Sequence, residues 1–275
     1  MAESGKVQRV LAVCAHPDDC EMLCGGTLAL FAAQGVAVTI CAVARGDKGS
    51  REVPPEEFAA QRHAEAKRAA SVIAAEFVCL DAADGDVTAT PELRGKLLAT
   101  IRRIRPDLIL THWPDDYHAD HRATGELVTD CSWFAASPGH RTQTAALDEP
   151  VPVFYMDTLA GLSFEPTEYV NISGGWAKKE EMLRCHVSQL GPTAQHGDDP
   201  TPRRGGCQAS LTPRSTCCYK QPVKVVLADL LIRRPPEREF RCLVCGRIDL
   251  YRMTPLSLVR PVHCGEMMSA GEVHS

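Results

Sequence analysis

VLAVCAHPDDCEMLCGGT, from Val10 to Thr27, is the stretch that decides the fold. An apolar run rich in Val and Ala breaks at His16, and the acidic residues Asp18, Asp19 and Glu21 follow closely. An apolar run of this length, bounded by Pro, is typical of a buried parallel strand. In open α/β sheets, ligands bind outside the carboxyl ends of such strands. Because charge beside a buried strand is costly unless it is paired or metal-bound, we interpret the polar cluster as a functional site.

Strand-like and helix-like segments alternate along most of the chain. We predict strands at 7–15, 37–44, 77–80, 107–112 and 152–157, helices at 26–34, 55–75, 91–104, 121–135 and 176–189, and one further ordered element at 223–232. This alternation predicts an α/β fold, with a Rossmann-like, mostly parallel sheet and helices on both faces.

The character of the sequence changes after Gly191, where Gly, Pro, Arg and Cys crowd together and periodicity is lost. We therefore expect a main domain at 1–195 and an irregular Cys-rich extension at 196–275. Within the extension, a CxxC pair and a later His-Cys pair are typical of a small zinc ribbon at 240–268. Its ligands to a second, structural zinc ion would be Cys242, Cys245, His263 and Cys264. A Cys-bearing tail that binds no metal is the alternative.

The composition excludes several classes of partner. A net charge of −5 and a pI of about 6.1 provide no basic surface for nucleic acid. With no visible signal peptide and no apolar run long enough to span a bilayer, we expect no membrane partner. Several of the 13 cysteines, including Cys14, Cys41 and Cys79, lie in apolar strand-like runs, where we expect buried, reduced thiols. We therefore predict a cytoplasmic protein, and homo-oligomer formation stays open.

A second polar cluster, HADH at 118–121, follows the strand predicted at 107–112. It should lie at the same edge of the sheet as His16. His118 and His121 are three residues apart, so one helical turn would make them neighbours. Taken alone, each His would more often be a surface or capping residue, and a lone carboxylate could cap a helix. Together, the two clusters have the make-up of a catalytic zinc site, with three protein ligands and one position for water.

These motifs resemble a known family. AHPDDCE followed by GGT, with HADH downstream, is similar to the PIG-L/LmbE-like zinc-dependent N-deacetylases. The similarity continues through ARGDKGS at 44–50, RHAEAKRAA at 62–70, RPDLILTH at 105–112, FEPT at 164–167 and HVSQ at 186–189. It covers roughly residues 8–190 in the expected order and fades in the C-terminal third.

The resemblance implies a zinc-dependent hydrolase of small-molecule glycosides. It would remove an N-acyl group, which we expect to be acetyl, from a glucosamine-type sugar of a glycoconjugate, an antibiotic or a thiol-cofactor precursor. The implied zinc ligands are His16, Asp19 and His121. Asp18 would be the general base acting on zinc-bound water. His118 would stabilise the oxyanion or protonate the leaving amine, with Asp120 orienting it.

For two further residues, the sequence leaves both a site role and a surface role open. Arg62 would contact substrate or lie on a helix surface near Glu65. His186 would reach the pocket of its own or a neighbouring subunit, or lie on a helix surface.

Two other classes of function compete with the hydrolase. A Rossmann-like nucleotide-binding or methyl-transferring enzyme is disfavoured, because the first strand–helix turn carries carboxylates instead of G-x-G-x-x-G. The alternative is a non-catalytic zinc-containing binding module that docks a partner through its C-terminal ribbon. Asp18 beside the ligands favours the enzyme, since a structural zinc site needs no base.

Overall fold

The computed structural model describes residues 7–160, 164 and 168–190, and three short strands at 223–227, 239–241 and 248–250. The strands within these residues are β1 (Arg9–Cys14), β2 (Ala37–Ala44), β3 (Glu76–Ala82), β4 (Leu108–His112), β5 (Val153–Met156), β6 (Glu168–Val170), β7 (Val223–Leu227), β8 (Glu239–Arg241) and β9 (Ile248–Leu250). The helices are α1 (Asp19–Leu23), α2 (Gly25–Ala33), α3 (Pro55–Ser71), α4 (Pro91–Ile104), α5 (Ala119–Phe134) and α6 (Trp176–Arg184), followed by a 3-10 turn at Val187–Gln189.

The main sheet has the strand order β3-β2-β1-β4-β5-β7-β6. Strands β1 to β5 pair in parallel, while β7 pairs antiparallel with both β5 and β6. The predicted mostly parallel α/β sheet is therefore confirmed.

Strand β7 comes from beyond the boundary predicted near residue 195, so the extension contributes one strand to the main sheet. The division into 1–195 and 196–275 stays a prediction. Strands β8 and β9 pair only with each other among the described residues. The four ligands predicted for a zinc ribbon, Cys242, Cys245, His263 and Cys264, lie outside the described residues.

Strand β1 is buried on both of its faces. Leu11 and Val13 belong to the core formed with α4 and α5. Val10, Ala12 and Cys14 belong to the core formed with α2, α3 and α6. Successive side chains of a strand point to opposite faces, so helices on both faces require an uninterrupted apolar run. This is why the sequence of β1 lacks polar alternation.

The sheet topology places the two polar clusters side by side. Strand β1 lies between β2 and β4, so the chain order of the strands reverses there, at the switch point where α/β sheets bind ligands. His16 follows β1 and His112 ends β4, and the register pairs Val13 with Thr111. Helix α5 begins at Ala119, within the second cluster.

Two helices are shorter than the sequence predicted. Helix α3 ends at Ser71 instead of residue 75, and Ala74 has a left-handed φ of 55° that an α-helix does not accommodate. The helix predicted at 176–189 ends at Arg184, where hydrogen bonds tighten to the i, i+3 pattern and a 3-10 turn follows. His186 lies in this tightened stretch and is buried, with 1% of its surface exposed.

Cys14 and Cys20 form a disulfide. The expectation of a reduced thiol is therefore wrong for Cys14, whereas Cys41 and Cys79 are free. The bond joins the end of β1 to helix α1 and encloses residues 15–19 of the first polar cluster. No helix among the described residues is long and apolar enough to cross a membrane. The cytoplasmic localisation stays a prediction.

Replacing both Cys14 and Cys20 with Ala is expected to lower the free energy of unfolding by about 2 kcal/mol. The reason is that a crosslink closing a short loop removes roughly that much entropy from the unfolded chain. Denaturant unfolding with and without reductant measures the loss. Cys131→Ala, which removes a free buried thiol, should keep the wild-type sensitivity to reductant. A double variant as stable as the oxidised wild type would contradict the prediction.

Candidate metal and active site

The carboxylate of Asp19 lies at the centre of a group of imidazoles. Its Oδ2 atom is 3.2 Å from Nδ1 of His16, 3.3 Å from Nε2 of His112 and 3.4 Å from Nε2 of His121. The same oxygen accepts the backbone N–H of His16 at 2.8 Å. Burial alone would raise the pKa of Asp19, but His121, His112 and His16 outweigh it and hold that pKa well below its usual range.

Three of these residues form a donor set that fits a divalent metal ion. His16, Asp19 and His121 each present a ligand atom, and these atoms lie within 4.8 Å of one another. Two imidazole nitrogens and one carboxylate oxygen are the ligands of many catalytic zinc sites and of non-haem iron sites. The three ligands predicted from the sequence are thus brought together.

Each of the two histidines in this donor set has a further carboxylate behind it. Nε2 of His16 is 3.0 Å from Oδ2 of Asp120, and Nδ1 of His121 is 3.2 Å from Oδ2 of Asp116. Burial lowers the pKa of both rings, but Asp19 and these carboxylates raise it to about 9 for His16 and about 10 for His121. Carboxylates in this position fix the orientation of ligand histidines and raise their basicity.

Asp120 does not make the contact expected of it. Its carboxylate reaches His16 and accepts the backbone N–H groups of Gly85 at 2.7 Å and Val87 at 3.4 Å. His118 instead accepts the backbone N–H of Asp120 on Nδ1 at 3.2 Å. With Nδ1 as acceptor, the neutral His118 ring carries its proton on Nε2, as this hydrogen bond assigns it. His118 therefore presents a donor.

Asp18 has a strained backbone. Its φ of 123° and ψ of −26° lie where residues other than Gly are rare, and such conformations cost about 1–3 kcal/mol each. Its side chain makes no capping hydrogen bond to α1, so it does not act as a helix cap. The carboxylate instead pairs with the Arg62 guanidinium at 2.9 Å. Burial raises the pKa of Asp18 to about 6, although the charge of Arg62 opposes the shift. Asp18 and Asp19, adjacent in sequence, thus face different partners.

Arg62 lies in the interior beside Asp18. It is 4% exposed and also donates to the carbonyl oxygen of Pro17. Gly46 makes room for it, because a Cβ atom at Gly46 would lie 2.6 Å from Cδ of Arg62. The interpretation of Arg62 as a helix-surface residue is therefore wrong.

His186 also points inward within its own chain, with Nε2 3.4 Å from Oε1 of Glu21. The helix-surface interpretation of this residue is wrong as well. Glu21 was visible in the first polar cluster, but its sequence position did not indicate a partner more than 160 positions away.

His112 and Asp116 are members of the site that the sequence analysis did not assign. The His112 ring stacks on that of His121 with the centroids 3.9 Å apart, and its Nε2 accepts the backbone N–H of Ala15 at 2.9 Å. Both residues lie in the polar stretch that ends at His121, which was the available signal. Which members of that stretch turn inward is decided only by the folded backbone.

Comparisons with known proteins agree with these motifs. Residues 11–132, which include both polar clusters, match the family model PIG-L, described as GlcNAc-PI de-N-acetylase. Diacetylchitobiose deacetylase of Thermococcus kodakarensis is 31% identical over 195 residues, covering 67% of this chain and 71% of that protein. 4-Oxalmesaconate hydratase of Pseudomonas putida is 26% identical over 188 residues, covering 65% and 73%. The crystal structure of a conserved protein from Thermus thermophilus has a TM-score of 0.64 at 25% identity, covering 84% of this chain and 99% of that one.

Proposed function

This chain belongs to the PIG-L family, and we propose on that premise that it is a zinc-dependent N-deacetylase of glucosamine-type sugars. The observation that carries the proposal is the arrangement around Asp19. Three metal-donor groups converge there, while Asp18 and His118 stand outside the donor set on separate hydrogen-bonding partners. A structural metal site needs neither a strained, Arg-paired carboxylate nor a free imidazole donor, so this arrangement favours an enzyme over the binding module.

His16, Asp19 and His121 would hold the ion, which supplies Lewis-acid activation of water and of the amide carbonyl. Asp18 then acts as the general base and accepts a proton from the attacking water. The ion pair with Arg62 fixes the direction of its carboxylate. A positioned base of this kind contributes roughly a hundred- to ten-thousandfold in rate.

His118 acts on the oxygen of the amide. Its Nε2–H donates to the oxygen that gains negative charge when water adds to the acetyl carbon. The carbon–nitrogen bond then breaks, and the amine leaves with the proton that Asp18 took from the attacking water. The products are acetate and the free amine of the sugar, so one water is consumed per amide.

Two relatives differ in the chemistry that their names state. The diacetylchitobiose deacetylase supports an N-acetylglucosamine-type substrate, whereas the hydratase favours addition of water to a carbon–carbon double bond as a second candidate. Both reactions need an activated water and a proton donor. They differ in whether an amine is released. We propose further that the sugar carrying the amide belongs to an antibiotic, a thiol-cofactor precursor or another glycoconjugate.

A panel of substrates tests the proposal. Zinc-loaded protein is incubated with N-acetylglucosamine, diacetylchitobiose and aryl N-acetylglucosaminides, and free amine and acetate are measured together. We expect both products in equal amounts, lost with a chelator and restored by Zn²⁺. An unsaturated dicarboxylate, followed by loss of its ultraviolet absorbance, tests the hydratase. Absence of amine from every sugar, with water addition to the dicarboxylate, would overturn the deacetylase in favour of the second candidate.

A further inference from the structure

Helix α1 carries Asp19 and directly follows Asp18, yet it is only five residues long. Isolated helices shorter than about 12 residues are marginal in water, so α1 depends on contacts with the rest of the chain. Three contacts from other segments hold it: the Cys14–Cys20 disulfide, a 2.7 Å hydrogen bond from Lys179 Nζ to the Met22 carbonyl oxygen, and the approach of His186 to Glu21. The third contact is the one between two buried ionisable side chains, and the mechanism described above does not use it.

Glu21 and His186 are both 1% exposed. Each side chain offers the other a polar partner in an interior where water cannot. The distance of 3.4 Å between Nε2 and Oε1 is long for a hydrogen bond, and neither nitrogen of His186 has another partner among the described residues. Burial lowers the pKa of His186, but Glu21 and then Asp18 raise it above its ordinary value. A protonated imidazole beside a buried carboxylate avoids the cost of leaving either charge alone.

The turn that carries His186 is anchored to helix α3. The carboxylate of Glu65 accepts the backbone N–H of Ser188 at 3.0 Å and its hydroxyl at 2.6 Å. Glu65 lies one helical turn after Arg62, which pairs with Asp18. Helix α3 therefore holds Asp18 directly through Arg62. Through Glu65 and the turn at 186–189, the same helix also holds His186 in place against Glu21 of α1.

We propose that Glu21 and His186 form a positioning pair that fixes helix α1, and with it Asp18 and Asp19, in the orientation needed for metal binding and catalysis. Neither residue touches the reacting atoms. The inference rests on the proposed function, since it takes Asp19 as a metal ligand. Its test measures Zn²⁺ binding itself, so it does not depend on knowing the sugar.

The near-isosteric variants Glu21→Gln and His186→Gln, and the double variant, test the pair. Zn²⁺ affinity is measured by competition with a chromophoric chelator. Each single change is expected to weaken binding roughly tenfold, and at most by the hundredfold that follows the loss of a residue in direct contact with a metal ligand. The double variant should bind no more weakly than the weaker single variant, because the two residues act as one unit. At saturating Zn²⁺, kcat should fall by roughly tenfold or more while KM stays near wild type, since the base and not the substrate contact is displaced.

Two further variants separate positioning from general stability. Ser188→Ala loosens the anchor and should weaken Zn²⁺ binding in the same direction by a smaller factor. Ile101→Val, a fully buried residue on the other face of the sheet, should lower the melting temperature and leave Zn²⁺ affinity unchanged. Wild-type affinity in both Gln variants, additive losses in the double variant, or an equal loss in Ile101→Val would overturn the pair. A wild-type protein that binds Zn²⁺ but deacetylates no sugar would instead overturn the proposed function, while the affinity comparison still decides the pair.

Discussion

Asp18→Asn is expected to keep its bound zinc and to slow deacetylation by roughly a hundred- to ten-thousandfold. An amide has nearly the same shape as the carboxylate but cannot accept the proton of the attacking water. The metal donors are untouched, because Oδ2 of Asp19 holds the contacts to His16 and His121 and Asp18 contributes to none of them. The loss should therefore fall on kcat.

Zinc content and turnover, measured on the same preparation, check this expectation. Asp115→Asn is the matched control, because Asp115 is an exposed carboxylate next to Asp116 of the site and should be indistinguishable from wild type. If Asp18→Asn lost zinc, Asp18 would belong with the ligands. If it kept zinc and near-normal turnover, another group would be the base.

The elements that local sequence signals specify were predicted closely. Strand β2, the apolar run AVTICAVA at 37–44, and helix α4 at 91–104 have the predicted bounds. Helix α4 has a local start signal that the structure uses, since Thr90 accepts the backbone N–H of Leu93. In contrast, β7 pairs with β5 across some 70 positions of sequence, and no local pattern specifies such a partner.

The central donor set of the site was predictable, but its other members, such as His112 and Asp116, and the pairing of its side chains were not. Two polar clusters at the ends of buried strands were enough to bring His16, Asp19 and His121 together. Whether the carboxylate of Asp120 turns to His118 or to His16 depends on side-chain torsions that no spacing determines. Arg62 is a similar case, because a buried Arg is understandable only once Gly46 and Asp18 are seen around it.

The Cys14–Cys20 disulfide is a further feature that the sequence alone could not predict. Both cysteines were visible in the first motif, but whether they can be bridged depends on the distance between their Cα atoms, which is 5.8 Å after the chain turns from β1 into α1. The turn between the two cysteines contains Asp18, whose positive φ is a conformation that residue propensities disfavour.

Asp19→Asn is expected to lose the metal ion, and deacetylation with it. One oxygen of Asp19 lies within 3.4 Å of nitrogens of three histidines and also accepts a backbone N–H, so a single substitution alters the centre of the whole cluster. A neutral amide is a poorer ligand than a carboxylate. It also removes the negative charge that compensates the imidazoles.

The size of the loss is judged against Asp116→Asn. Asp116 touches the proposed donor set only at Nδ1 of His121, while its other carboxylate oxygen accepts the backbone N–H of His118. Its replacement should therefore weaken Zn²⁺ binding by the roughly tenfold to hundredfold typical of residues behind a ligand. Chelator competition on the three variants should therefore rank their affinities as Asp18→Asn near wild type, Asp116→Asn weaker, and Asp19→Asn weakest by a wide margin. A larger loss in Asp116→Asn than in Asp19→Asn would contradict the assignment, because it would place the ion in the neighbouring donor group of His112, Asp116 and His121.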